Sequence, residues 1–136
     1  MPAVSGHALV ATRFAVGEQD SDRFQVRARE ALDALAACPG YLRGHLGRGV
    51  DDPTTWLLVT EWEGVGAYRR ALSSFDVKMR ASPLLAEGRN EPSGFEVLLA
   101  SEAGGAILVG WSDRAADAAT AGPGRAAPSA ERQEGP

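Results

Sequence analysis

Two strand-like runs, Tyr41 to Arg48 and Trp56 to Glu63, are separated only by the turn-forming stretch Gly49-Val50-Asp51-Asp52-Pro53 and two threonines. Glycine, aspartate and proline in series reverse a chain, and so short a link cannot carry a parallel strand crossover. The two runs therefore pair as an antiparallel hairpin. In the second run Trp56, Leu58, Thr60 and Trp62 alternate onto one face, so one side of the hairpin is built to be covered.

The flanking segments supply the cover. Residues 8–16 (Ala-Leu-Val-Ala-Thr-Arg-Phe-Ala-Val) read as a first strand. Gly17 to Asp20 turn the chain, and Asp20, Ser21 or Asp22 can cap a following helix. On that helix Phe24, Ala28, Ala31, Leu32 and Leu35 recur at three- and four-residue spacing and make one apolar face. Pro39-Gly40 ends it. In the strand from Tyr41, alternation places Leu42 and Leu46 on one side and Tyr41, Arg43 and His45 on the other. A short helix is expected from Gly64 to about Ser73. A second runs from Phe75 to Glu87 and is redirected at Pro83. Ser93 to Ala100 reads as the last strand.

This order, β-α-β-β-α-β, predicts an α+β domain of ferredoxin-like, split βαβ build over residues 7–100. With both helices on one face, the antiparallel sheet keeps a bare second face. A second copy of the same sheet would cover it with isologous contacts, giving a homodimeric α/β barrel. Residues 101–111 form a short extension, with Ala106 to Trp111 as an edge strand or docking segment. Residues 112–136 hold no large apolar side chain and are expected to be disordered.

Composition excludes several functions. The chain has 136 residues, and its apolar fraction of 44% suffices for one core. A net charge of −4, with arginines interspersed among acids, gives no basic face for nucleic acid. The single cysteine, Cys38, rules out an internal disulfide and a thiolate zinc site. No stretch approaches the ~20 apolar residues of a membrane span. The N-terminus has neither the basic nor the apolar region of a signal peptide. A cytoplasmic protein is the resulting expectation. His7 and His45 are the only histidines, and neither has neighbours at metal-ligand spacing.

Phosphate loops, dinucleotide fingerprints and a Gly-x-Ser-x-Gly elbow are missing from the sequence. What remains is an aromatic and polar cluster around the third strand and the helices after it. Thr12, Leu58, Thr60, Phe75 and Met79 are candidate ligand contacts. Trp62, Tyr68, Arg80 and His45 are candidates for chemistry. Such a set suits a mostly apolar pocket with a few polar groups. It also suits a plain core, in which Trp62, Tyr68, Phe75 and Met79 only fill space.

The βαββαβ order, Pro39-Gly40-Tyr41 before the second strand, the Asp51-Asp52-Pro53 turn, and Glu61-Trp62-Glu63 followed by Tyr68 together resemble the antibiotic biosynthesis monooxygenase (ABM) domain family, over roughly residues 7–100. The resemblance implies a homodimer with a site between sheet and helices in each subunit. It implies oxidation of a small aromatic or polyketide-like compound by molecular oxygen, with no metal, flavin or haem cofactor. Trp62 and Tyr68 match the Trp and Tyr of the family's anthrone oxygenases. The position of their Asn is Leu58, and that of their Arg is Ser82, with Arg80 two residues away. The haem-degrading branch of the fold needs residues that are replaced here by Thr12, Ala71 and Ala81. Two further functions are compatible with the fold: a non-catalytic dimeric ligand-binding module and a polyketide cyclase-like enzyme.

Overall fold

A computed structural model describes residues 7–110. The Ala106–Trp111 patch therefore loses its tryptophan to the region outside the described residues, and the tail at 112–136 lies wholly outside them. Within the described part, residues 7–96 belong to one compact unit and residues 97–110 to a second.

The first unit holds β1 (Ala8–Ala15), α1 (Ser21–Ala36), β2 (Tyr41–Arg48), β3 (Thr55–Trp62), α2 (Val65–Leu72), α3 (Phe75–Arg80), α4 (Ser82–Leu85) and β4 (Gly94–Glu96). Its four strands form one antiparallel sheet in the order β2-β3-β1-β4. That is the ferredoxin-like arrangement read from the chain. β3 lies between β2 and β1, with Thr12 opposite Leu58, Val10 opposite Thr60 and Ala8 opposite Trp62.

Alternation carries Val10, Phe14, Trp56, Leu58 and Trp62 into the core, where all are buried. α1 covers them with Phe24, Ala28, Ala31, Ala34 and Leu35. Ala28 and Ala31 have no bulk beyond Cβ, so the helix can sit close to the sheet. Two aromatic groups occupy the ends of β3, roughly 20 Å apart at strand rise. Phe14, Phe24 and Trp56 meet at one end, with centroids 5.0 and 5.3 Å apart. Tyr41, Trp62 and Tyr68 meet at the other.

The structure corrects the reading of β2 in one place. A bulge between Tyr41 and Arg43 shifts the register, so Tyr41 turns onto the core face and packs edge-on against Trp62 at 5.2 Å. Simple alternation cannot see an inserted residue that rotates the strand by one step. Pro39-Gly40 acts as expected. Gly40 has a φ of 88°, and the Tyr41 amide donates to the Cys38 carbonyl at 3.2 Å, closing a turn that requires a left-handed residue.

The Phe75–Glu87 segment breaks into α3 and α4 at Ala81, with Pro83 in the first turn of α4. The Ser74 hydroxyl caps α3, accepting from the Val77 amide at 3.2 Å. The last strand is shorter than the run 93–100: β4 stops at Glu96. In the second unit β5 (Leu99–Ala100) pairs instead with β6 (Leu108–Val109) around a turn at Gly104, φ 73°. No helix among the described residues is long and apolar enough to cross a membrane.

Candidate functional site

A cleft of about 390 Å³ opens beside β1, lined by Thr12, Tyr68, Leu85 and Ala86, and by the loop from Gly88 to Ser93. β4 pairs with β1 only over Ala8 to Val10, which leaves the next residues of β1 as a free edge. The loop ties itself to that edge at both ends. The Arg89 amide donates to the Arg13 carbonyl at 2.8 Å, and the Ala11 amide donates to the Ser93 carbonyl at 2.8 Å. Residues 90–92 bridge the two tie points.

Gly88 makes the approach possible. A Cβ there would fall 2.3 Å from Thr12 Cγ2, inside any permitted contact. Glu91 is fixed by Arg13, whose Nε and one terminal nitrogen each donate to a carboxylate oxygen at 2.9 Å. That paired guanidinium holds the Glu91 carboxyl below its ordinary value of 4.5.

Tyr68 forms the aromatic wall. Its ring is tilted against Trp62 at 5.5 Å, and Trp62 is completely buried behind it. The indole N–H of Trp62 donates to the Thr60 hydroxyl at 2.8 Å, so this large side chain leaves no polar atom unpaired. Burial raises the Tyr68 hydroxyl above its ordinary value of 10.0. At neutral pH it is a protonated phenol, able to donate a hydrogen bond and unable to act as a base.

The candidates divide sharply. Thr12 and Tyr68 line the cleft. Trp62 packs behind Tyr68, Leu58 lies opposite Thr12 across the β1–β3 ladder, and Thr60 holds Trp62 in place. The other four are elsewhere. Phe75 and Met79 are 78% and 60% exposed, because α3 turns Val77 inward and these two outward. Arg80, expected to face the site, pairs instead with Asp76 at 3.0 Å and Asp33 at 3.8 Å on the outside of α3. His45 pairs with Val59, one step out of phase with Thr60, and so lies on the sheet face opposite to Trp62.

Sequence reasoning missed Leu85, Gly88, Arg89, Asn90, Glu91 and Ser93. Gly88-Arg-Asn-Glu-Pro92 carried turn chemistry and charges, a sign of a loop positioned for contact. Nothing local told which strand it would reach. A second groove, about 520 Å³, runs between α1 and β2 past Asp22, Val26, Arg29, Leu32 and Leu46. It is larger, but it lies on an edge strand and contains neither Trp62 nor Tyr68. The cleft at β1 is the better site, because several polar groups from separate segments converge on it.

Comparison with known proteins agrees with this architecture. One family profile, described as antibiotic biosynthesis monooxygenase, matches residues 8–79. Among solved structures, SnoaB, a cofactor-independent oxygenase from Streptomyces nogalater, superposes with a TM-score of 0.59 at 24% identity, covering 68% of this chain and 94% of that one. A mutant of SnoaB gives 0.60 with the same identity and coverage. A conserved protein from Methanosarcina mazei gives 0.58 at 14% identity, again over 68% and 94% of the two chains. At these identities the superpositions establish a shared fold. Among curated proteins no sequence matches.

Proposed function

Because the chain belongs to the antibiotic biosynthesis monooxygenase family, we propose that it is a cofactor-independent monooxygenase acting on a small aromatic or polyketide-like compound of secondary metabolism. The observation that carries this reading is the cleft walled by Tyr68, whose ring is backed by buried Trp62. The chemistry asks little of the protein. A substrate methylene flanked by a carbonyl and aromatic rings loses a proton and becomes an electron-rich, delocalised anion. That anion reduces molecular oxygen. One oxygen atom remains on the carbon as a new carbonyl, and the other leaves as water.

In this reading the protonated Tyr68 hydroxyl donates to the oxygen on which negative charge gathers, and Trp62 fixes the direction of that donor. Leu85 and Ala86 offer the ring apolar contact, and the Thr12 hydroxyl offers a second polar contact. Glu91 is tied to Arg13, so it is a poor base; the proton passes to solvent at the cleft mouth.

The protein works as a cytoplasmic homodimer in this proposal. No helix of its unit covers the second sheet face, where Leu9, Ala11, Leu57 and Val59 lie together. A monomer at micromolar concentration in sedimentation equilibrium would argue against the dimer.

Oxygen uptake tests the activity. With an anthrone- or hydroquinone-type substrate, Tyr68→Phe and Trp62→Phe should each lower the rate about 10-fold or more. Unchanged uptake in both variants rejects the assignment. A second reading follows from Leu58, which is buried and apolar where the anthrone oxygenases carry Asn. It is a binding module of the same fold, which would take up the ring compound and consume no oxygen. A polyketide cyclase-like enzyme would cyclise its substrate, also without oxygen uptake.

A further inference from the structure

We propose that Arg89 is the specificity-determining residue of the cleft, and that the site selects a planar aromatic molecule bearing a carboxylate, its ring against Tyr68, Leu85 and Ala86 and its carboxylate at the Arg89 guanidinium. This rests on the reading of the cleft as the substrate site. It adds a charge requirement that the ring chemistry alone does not impose.

Two arginines that could meet an anion are already paired. Arg80 is occupied by Asp76 and Asp33 on the far side of α3, and Arg13 is occupied by both oxygens of Glu91. Arg89 lines the cleft, and two carboxylates, Asp52 and Glu91, feel its charge. Both have other donors. Asp52 accepts from the Thr54 amide at 3.0 Å, from the Thr54 hydroxyl at 2.6 Å and from the Thr55 hydroxyl at 3.0 Å. Glu91 has its bidentate partner in Arg13. Neither carboxylate bonds the Arg89 guanidinium, which therefore stays available to a ligand anion.

Position is as well defined as charge. The Arg89 amide bond to Arg13 and the contact of Gly88 with Thr12 pin the backbone from which the guanidinium projects. A planar guanidinium presents paired N–H groups that match a carboxylate, which a neutral amide cannot reproduce. Asn90 and Ser93, on the same loop, add neutral polar groups beside it.

Equilibrium binding of 2-naphthoate and 2-naphthamide tests the idea with two probes of one shape and different charge. Isothermal titration on the full chain should show naphthoate binding about 10-fold or more tightly than naphthamide. Arg89→Gln should abolish that preference by weakening naphthoate far more than naphthamide, and Arg89→Lys should keep part of it. Equal binding of the two probes, no binding of either at millimolar concentration, or a preference that survives Arg89→Gln would each overturn the proposal. The assay needs no turnover, so it separates the two readings. Carboxylate preference lost in Arg89→Gln upholds Arg89 even if no substrate consumes oxygen. Oxygen uptake sensitive to Tyr68→Phe upholds the oxygenase even if the preference is absent.

Discussion

Trp62 donates its indole N–H to the hydroxyl of Thr60, two residues earlier on the same face of β3, at 2.8 Å. Both side chains are almost wholly out of water, at 0% and 3% exposure. Thr60 thus serves as the polar partner that allows a tryptophan to be buried directly behind Tyr68. Trp56 has no such partner: its Nε1 is buried and unbonded, and the Arg48 guanidinium lies over its ring at 5.4 Å.

Thr60→Val should destabilise the protein by ~1–3 kcal/mol, since it keeps the shape and leaves the Trp62 N–H unsatisfied. Thr60→Ser keeps the acceptor and should cost less. Urea denaturation followed by tryptophan fluorescence measures both. A valine variant as stable as the parent would mean that the hydrogen bond contributes nothing net.

Gly88→Ala should loosen the cleft. Its Cβ would meet Thr12 Cγ2 at 2.3 Å, and relieving that contact moves the loop off β1 at a cost of ~1–3 kcal/mol. The double variant Gly88→Ala with Thr12→Ser removes the offending methyl and should regain part of the loss. Hydrogen exchange of the Arg89 amide reports the loop directly. Equal protection in Gly88→Ala and the parent would contradict the steric account.

Gly40→Ala should cost ~2–4 kcal/mol. The residue holds a φ of 88°, and an added Cβ would lie 2.5 Å from the Ala67 Cβ of α2. Ala67→Gly in the same chain would relieve the contact but not the backbone strain, so thermal unfolding should show only partial recovery.

Acid should weaken the fold through Asp52, Glu87 and Glu91. Glu91 is held below its ordinary value by Arg13, Glu87 by Arg27, and Asp52 by the Thr54 and Thr55 donors. A carboxylate with a depressed value in the folded state binds protons more weakly there than in the unfolded chain. Its contribution is therefore complete above the unfolded value, 4.5 for the glutamates and 3.8 for Asp52, and is lost as pH falls through the folded value. Urea midpoints measured from neutrality to about pH 3 should decline at the acid end. Glu87→Gln combined with Glu91→Gln should flatten that decline. An equally steep decline in the double variant would place the acid sensitivity elsewhere.

Local patterning of residues was enough for the order of elements, the hairpin, the inward face of β3 and the Pro39-Gly40 turn. Each of these is local. Alternation with a period of two names Trp56, Leu58, Thr60 and Trp62 as one face, and a seven-residue link, 49–55, excludes a parallel crossover. Of the candidate site, the same local logic reached Thr12, Leu58, Thr60, Trp62 and Tyr68, all of which lie within regular elements.

The rest depended on packing between residues far apart in the chain. A bulge turned Tyr41 inward, and the phase of α3, which buries Val77, left Phe75 and Met79 exposed and Arg80 paired with Asp76 and Asp33. Strand phase put His45 on the other face. The loop that completes the cleft reaches β1 through contacts such as Arg13–Glu91, which join residues 78 positions apart. Periodicity reports which way a side chain points within its own element. Which distant edge a glycine-led loop will close against depends on the packing of the whole sheet, and that placed Arg89 at the site.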